Sequence, residues 1–107
     1  MRPLTALEQS RIWMTVPLAG DRRAILLNYP DRDEEHSPDE VNRNLVCVDD
    51  QNNVTWQVKP PLPFQPTGDP FVQIKAENGI LRATRFFGDI CEINPDNGLA
   101  TIVGWTK

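Results

Sequence analysis

Asn44-Leu45-Val46-Cys47-Val48-Asp49-Asp50-Gln51-Asn52-Asn53-Val54-Thr55-Trp56-Gln57-Val58 decides the fold. Two short runs of β-branched and other apolar residues flank a corner of Asp, Gln and Asn. Asn and Asp tolerate the left-handed backbone region and cap nearby amides, so this pattern predicts two strands joined by a tight turn. Asn53 is expected to take the left-handed corner. Val54, Trp56 and Val58 recur at a period of two and are expected to share one face.

The same grammar extends outward. Strands are predicted over Arg11–Val16, Ala24–Tyr29, Asn44–Asp49, Val54–Lys59, Phe71–Glu77, Ile80–Phe87, Asp89–Asn94 and Leu99–Thr106. Asn78-Gly79 suits a type I′ hairpin, because both residues accept positive φ. Asn94-Pro95-Asp96-Asn97-Gly98 is a longer turn in which Pro95 presets φ and Gly98 closes the corner. Ala19-Gly20-Asp21 turns the first hairpin. No window sustains a period of 3.6, so helix is confined to a short turn near Thr5–Ser10. Residues 30–42 form an acidic loop, and residues 60–70, with five prolines, form an extended connection. The expected fold class is therefore all-β. It comprises about eight antiparallel strands in sequential hairpins within a single domain, residues 1–107.

A shift of 45 residues lays Asn44–Val58 on Asp89–Val103. Leu45/Ile90, Val48/Ile93, Asp49/Asn94 and Val54/Leu99 match in class, so the chain reads as two four-stranded units. The Asn44–Asp49 run followed by Val54-Thr55-Trp56-Gln57-Val58 resembles the blade pattern of quinoprotein-type (PQQ-like) β-propeller repeats. The layout of residues 42–107 is similar to small bacterial proteins. Those carry an Asn-Arg-Asn-apolar stretch, here Asn42-Arg43-Asn44-Leu45, the Asp-turn-Trp-Gln hairpin, an Asp-Pro-aromatic start, here Asp69-Pro70-Phe71, and a closing Thr-Lys, here Thr106-Lys107. The sequence departs from that pattern at Asn53 and at Arg85-Phe86-Phe87-Gly88. The resemblance implies a fold and carries no catalytic residues. Two blades cannot close a ring, so the units are expected to form a sandwich or an open barrel, or to pair with another copy through sheet edges.

Composition narrows the function classes. The chain has 39% hydrophobic and 24% charged residues, which places it among globular rather than disordered chains. A net charge of −4 with scattered basic residues removes the main electrostatic term for nucleic acid and for anionic membranes. No apolar run approaches a membrane span, and the N-terminal residues lack a signal-peptide core, so a cytoplasmic location is expected. Cys47 and Cys91 are then reduced and buried.

Catalytic constellations are scarce. The single histidine, His36, lies in the acidic loop beside Ser37, a poor place for a rigidly held base. Asp31, Asp33, Glu34, Glu35, Asp39 and Glu40 lack the alternation and central glycine of a calcium loop. Asp49, Asp50 and Asp96 sit in turns, where they cap amides. Two cysteines and one histidine do not make an ordinary zinc site. No cofactor, metal or catalytic residue is expected.

Three residues stand out as candidate binding residues: Trp56, Arg85 and Trp105. Trp105 is expected to share a face with Leu99, Thr101 and Val103. Arg85 is the odd polar residue on the face of Leu81, Ala83 and Phe87. Its guanidinium either snorkels past the strand end or pairs with Glu92, or it anchors a ligand or interface. The expected role is a non-enzymatic protein-interaction module, in one version an acidic inhibitor or immunity-type protein covering a basic partner. The alternative is a small-molecule or sugar-binding β module.

Overall fold

The computed structural model describes residues 2–29, 38–61 and 68–106. His36, Ser37 and the acidic residues between 31 and 35 lie outside these. The elements are β1 (Arg2–Pro3), α1 (Ala6–Ser10), β2 (Ile12–Leu18), β3 (Arg22–Leu27), α2 (Pro38–Asn42), β4 (Leu45–Val48), β5 (Asn53–Gln57), β6 (Phe71–Glu77), β7 (Ile80–Arg85), β8 (Asp89–Ile93) and β9 (Ala100–Trp105). They build two antiparallel sheets ordered β1-β5-β4-β3-β2 and β6-β7-β8-β9, and neither closes into a barrel. The all-β class and the sequential hairpins are as the sequence predicts.

Turn chemistry sets the registers. Asn78 and Gly79 both have positive φ (54° and 77°), and Glu77 pairs with Ile80 around them. This is the two-residue hairpin that matches strand twist. The other two Asx corners differ by one residue. In the first, Asp49 and Asn53 close a three-residue loop, and Asn52 rather than Asn53 is left-handed, at φ 63°. In the second, Asn94 and Leu99 close a four-residue loop with Gly98 at φ 78°. The uniform 45-residue shift therefore fails inside the turn.

The two meanders β2–β5 and β6–β9 stack. β2 lies against β6, and Lys59, just past β5, bridges Leu99 at the start of β9. Between the sheets a core forms from Ala24, Leu26, Leu45, Cys47, Trp56 and Val58 on one side and Phe71, Ile74, Leu81, Ala83, Cys91, Ile93 and Ala100 on the other. The five-stranded sheet has a second buried face of Ile25, Leu27, Val46, Val48 and Val54, covered by Leu4 and Tyr29. Val54 thus faces away from Trp56, contrary to the period-two reading. Cys47 pairs with Trp56 but Val48 with Val54, so Thr55 is an extra residue that flips the strand.

Two more features differ from the sequence reading. β1 is a ninth strand, paired with β5 through Arg2 and Val54. It leads into α1, where Thr5 and Glu8 form a capping box and Arg2 grips the Glu8 carboxylate at 2.6 and 2.9 Å. The last five residues of the acidic stretch, Pro38–Asn42, are helical rather than loop; proline at the first helical position has its φ already set for the turn.

Candidate functional site

The three candidate residues do not form one site. Trp56 is a buried fastener between the sheets, 7% exposed. Its indole N–H donates to the Pro95 carbonyl at 2.8 Å, and Arg22 Nη1 donates to the same oxygen. Gly98 lies flat on the indole, where a Cβ would come within 2.6 Å of Cε3. The β8–β9 turn is thus held down by the neighbouring sheet.

Arg85 faces inward, as the alternation along β7 demands. Arg82, three residues earlier and so on the exposed face, is the residue that pairs with Glu92, at 3.6 Å. Register sets this pairing, since Arg82 and Glu92, not Arg85 and Glu92, are direct cross-strand partners on the outer face. Arg85 instead meets two other carboxylates. Its Nη2 is 2.8 Å from Asp89 Oδ2, and its Nε is 3.4 Å from the buried Asp69. Asp69 also accepts from the Phe87 N–H at 3.0 Å.

This cluster extends into the first unit. Asn42 Oδ1 accepts from the Asp69 N–H. Asn44 bonds Phe71 in both directions and donates to the Leu27 carbonyl. The stretch Asn42-Arg43-Asn44 and the stretch Asp69-Pro70-Phe71 are therefore two halves of one buried polar clasp. Both stretches stand out in the sequence, but 27 residues separate them and nothing local shows that they meet. A signal was available, because two asparagines around an arginine at a strand start have no turn to make.

Trp105 stands apart from the core, at 62% exposure. Its indole N–H donates to the Phe87 carbonyl at 3.2 Å. Gly88, at φ 109°, lets it approach, since a Cβ there would stand 2.9 Å from the indole nitrogen and 2.1 Å from the Thr106 carbonyl. Phe86 and Phe87 are 63% and 48% exposed, with rings edge to face 5.1 Å apart. β7 ends at Arg85, so the two phenylalanines belong to a turn and not to the strand predicted through Phe87. Leu99 and Val103 are also exposed, and Val103 is an extra residue between Ile102 and Gly104.

Asp89 links part of this picture, because it pairs with Arg85 and lies opposite Trp105 in the ladder. Arg85 and Trp105 therefore reach one end of the β8–β9 hairpin, while Trp56 sits at the other.

A cleft of about 340 Å³ opens between the β2–β3 and β6–β7 hairpins, lined by Leu18, Arg22, Ala76, Ile80 and Pro95 among others. A second of about 370 Å³ lies over Leu81, Ile93 and Leu99. Neither is lined by Trp56, Arg85 or Trp105. Among the described residues no cluster of three His, Cys, Asp or Glu side chains could hold a metal ion, and no helix is long and apolar enough to cross a membrane. Cys47 and Cys91 are free, buried thiols. Burial pushes the Cys91 thiol up to about 11 and makes it a poor nucleophile.

A family model described as a domain of unknown function, DUF7957, matches residues 18–104. No curated protein and no solved structure matches the chain.

Proposed function

The chain belongs to the DUF7957 family, and we propose that it is a non-enzymatic, acidic protein-interaction module of a bacterial cytoplasm. The carrying observation is the exposed aromatic end of the four-stranded sheet. Phe86, Phe87 and Trp105 are left in solvent on a scaffold whose own core already buries thirteen residues between the sheets. Large exposed aromatics on a rigid frame are the usual anchors of protein interfaces. The net charge of −4 favours a basic partner, as an inhibitor or immunity-type protein would have.

The small-molecule reading has less support. Trp56 and Arg85 are spent on internal contacts, and Trp105 lies away from the clefts.

The test is affinity capture from the source cytoplasm with the wild-type chain and with a Phe86→Ser/Trp105→Ser double variant. A specific partner should bind the wild type, fall away as salt rises, and be lost from the variant. Retention that ignores both salt and the variant would defeat this reading.

A further inference from the structure

Each sheet has two edges, and three of these four edges are blunted. β1 is two residues long and ends in Pro3. β2 carries Pro17 and an irregularity between Ile12 and Met14. β6 carries Lys75 and Glu77 and shifts register between Phe71 and Gln73. These are the devices that keep edge strands from pairing with other chains. β9 is different. Ala100-Thr101-Ile102-Val103-Gly104-Trp105 contains neither charge nor proline, although Val103 is bulged.

Among the described residues, the backbone of β9 past Ala100 is left open as well. Asn94 N–H bonds Leu99, and Thr106 N–H bonds Gly88, at the two ends of the β8–β9 ladder. Antiparallel pairs alternate between bonded and non-bonded. The Ile102 and Trp105 N–H and C=O groups therefore point away from β8. Among the described residues, only Lys59 pairs on that side, and it does so at Leu99 and Ala100.

We propose that β9 is a homodimerisation edge, where two copies of this chain pair antiparallel and join their four-stranded sheets into one of eight strands. An antiparallel strand pair is self-complementary about a two-fold axis, so the same six residues serve both copies. No charge on β9 opposes its own image. Ile102, Val103 and Trp105, at 43%, 48% and 62% exposure, bring apolar side chains to the joint. At about 150–250 Å² per aromatic ring, Phe86, Phe87 and Trp105 leave roughly 300–400 Å² exposed at its flank. With the β9 side chains and backbone, the pair comes to on the order of 1,000 Å², the lower bound for a specific interface. The joint is thus a concentration-dependent one. The joint draws on the Phe86, Phe87 and Trp105 surface that the function proposed above gives to a basic partner, so a second copy and that partner would compete for it.

Salt separates the two readings. A basic partner is released by salt, whereas two chains of charge −4 repel less when screened, so added salt strengthens the dimer. Sedimentation equilibrium of the purified chain at low and high salt reads the mass. The expected result is a two-chain mass at high concentration, favoured by salt, with Val103→Lys weakening association roughly tenfold or more. Hydrogen exchange of the wild type gives a variant-free check, in which the Ile102 and Trp105 amides gain protection as concentration rises. A one-chain mass at every concentration, a Val103→Lys chain that dimerises normally, or amides indifferent to concentration would overturn it.

Discussion

Trp56 reaches across 39 residues of chain to place its indole N–H on the Pro95 carbonyl, and Gly98 covers the ring's flat side. The turn of one unit is thereby built on the tryptophan of the other, so a defect in the turn is felt in the shared core.

Two glycine substitutions test this coupling. Gly79 and Gly98 have nearly the same positive φ, 77° and 78°. A Cβ on Gly79 would meet nothing within 4 Å, while one on Gly98 would meet Trp56. Gly79→Ala should cost only the left-handed strain, about 1–2 kcal/mol. Gly98→Ala adds overpacking, for about 2–5 kcal/mol in total. Urea denaturation of the two variants should separate them, and equal costs would mean that the indole gives way freely.

A contrast between two arginines tests the clasp. Arg85→Met would leave Asp69 buried without its guanidinium partner, a loss of about 3–5 kcal/mol. Arg82→Met breaks an exposed pair with Glu92 and should cost less than about 1 kcal/mol. If both variants unfold at the same urea concentration, the Asp69–Arg85–Asp89 cluster is not a structural clasp.

How far the sequence reaches is visible in these residues. Corners governed by backbone sterics were legible, Asn78-Gly79 above all, because the residue types themselves restrict φ. Strand existence followed from composition and spacing. The failures share a cause, which is a one-residue change that alternation cannot reveal. Thr55 flips Val54 to the far side of its sheet, and a loop one residue shorter moves the left-handed corner from Asn53 to Asn52. β1 is too short to show any period. For the candidate site, β7 alternation turned Arg85 inward as read, but its acidic partners were hidden. Asp69 comes from a distant segment, and Asp89 lies beyond a turn that the predicted strand overran.

Acid should loosen the N-terminal cover. Burial alone would raise the Glu8 carboxyl, but the Arg2 guanidinium and the Thr5 amide outweigh it and hold the group below its ordinary value. A depressed folded value contributes stability above the unfolded value of 4.5, and that contribution is lost as pH falls through the folded one. Glu8→Gln keeps the capping-box acceptor for the Thr5 N–H but loses the charged pair with Arg2, and should cost about 1 kcal/mol at neutral pH. The difference between variant and wild type should then shrink below about pH 4.5. Thermal melts from pH 7 to pH 3 measure this, and a gap that stays constant would show that the carboxylate charge is idle.

The Cys91 thiol should respond to base in the opposite sense. Burial raises the Cys91 thiol from 9.0 to about 11, so the folded chain holds its proton after the unfolded chain has released it. Its contribution is complete below pH 9.0 and declines as pH rises toward 11, by roughly 1.4 kcal/mol per unit within that window. Cys91→Ala removes this slope, so the stability difference between wild type and variant should narrow across the same range. Labelling with an aromatic disulfide reagent at pH 8 gives an independent reading. Cys47 and Cys91 are both sealed between the sheets, so they should react together, at a rate set by opening of the sandwich and not by reagent access. Urea below the unfolding transition should accelerate both equally. Prompt labelling of one thiol in the native chain would show that the core opens locally on that side, and the alkaline slope would then belong to a local fluctuation instead of the global fold.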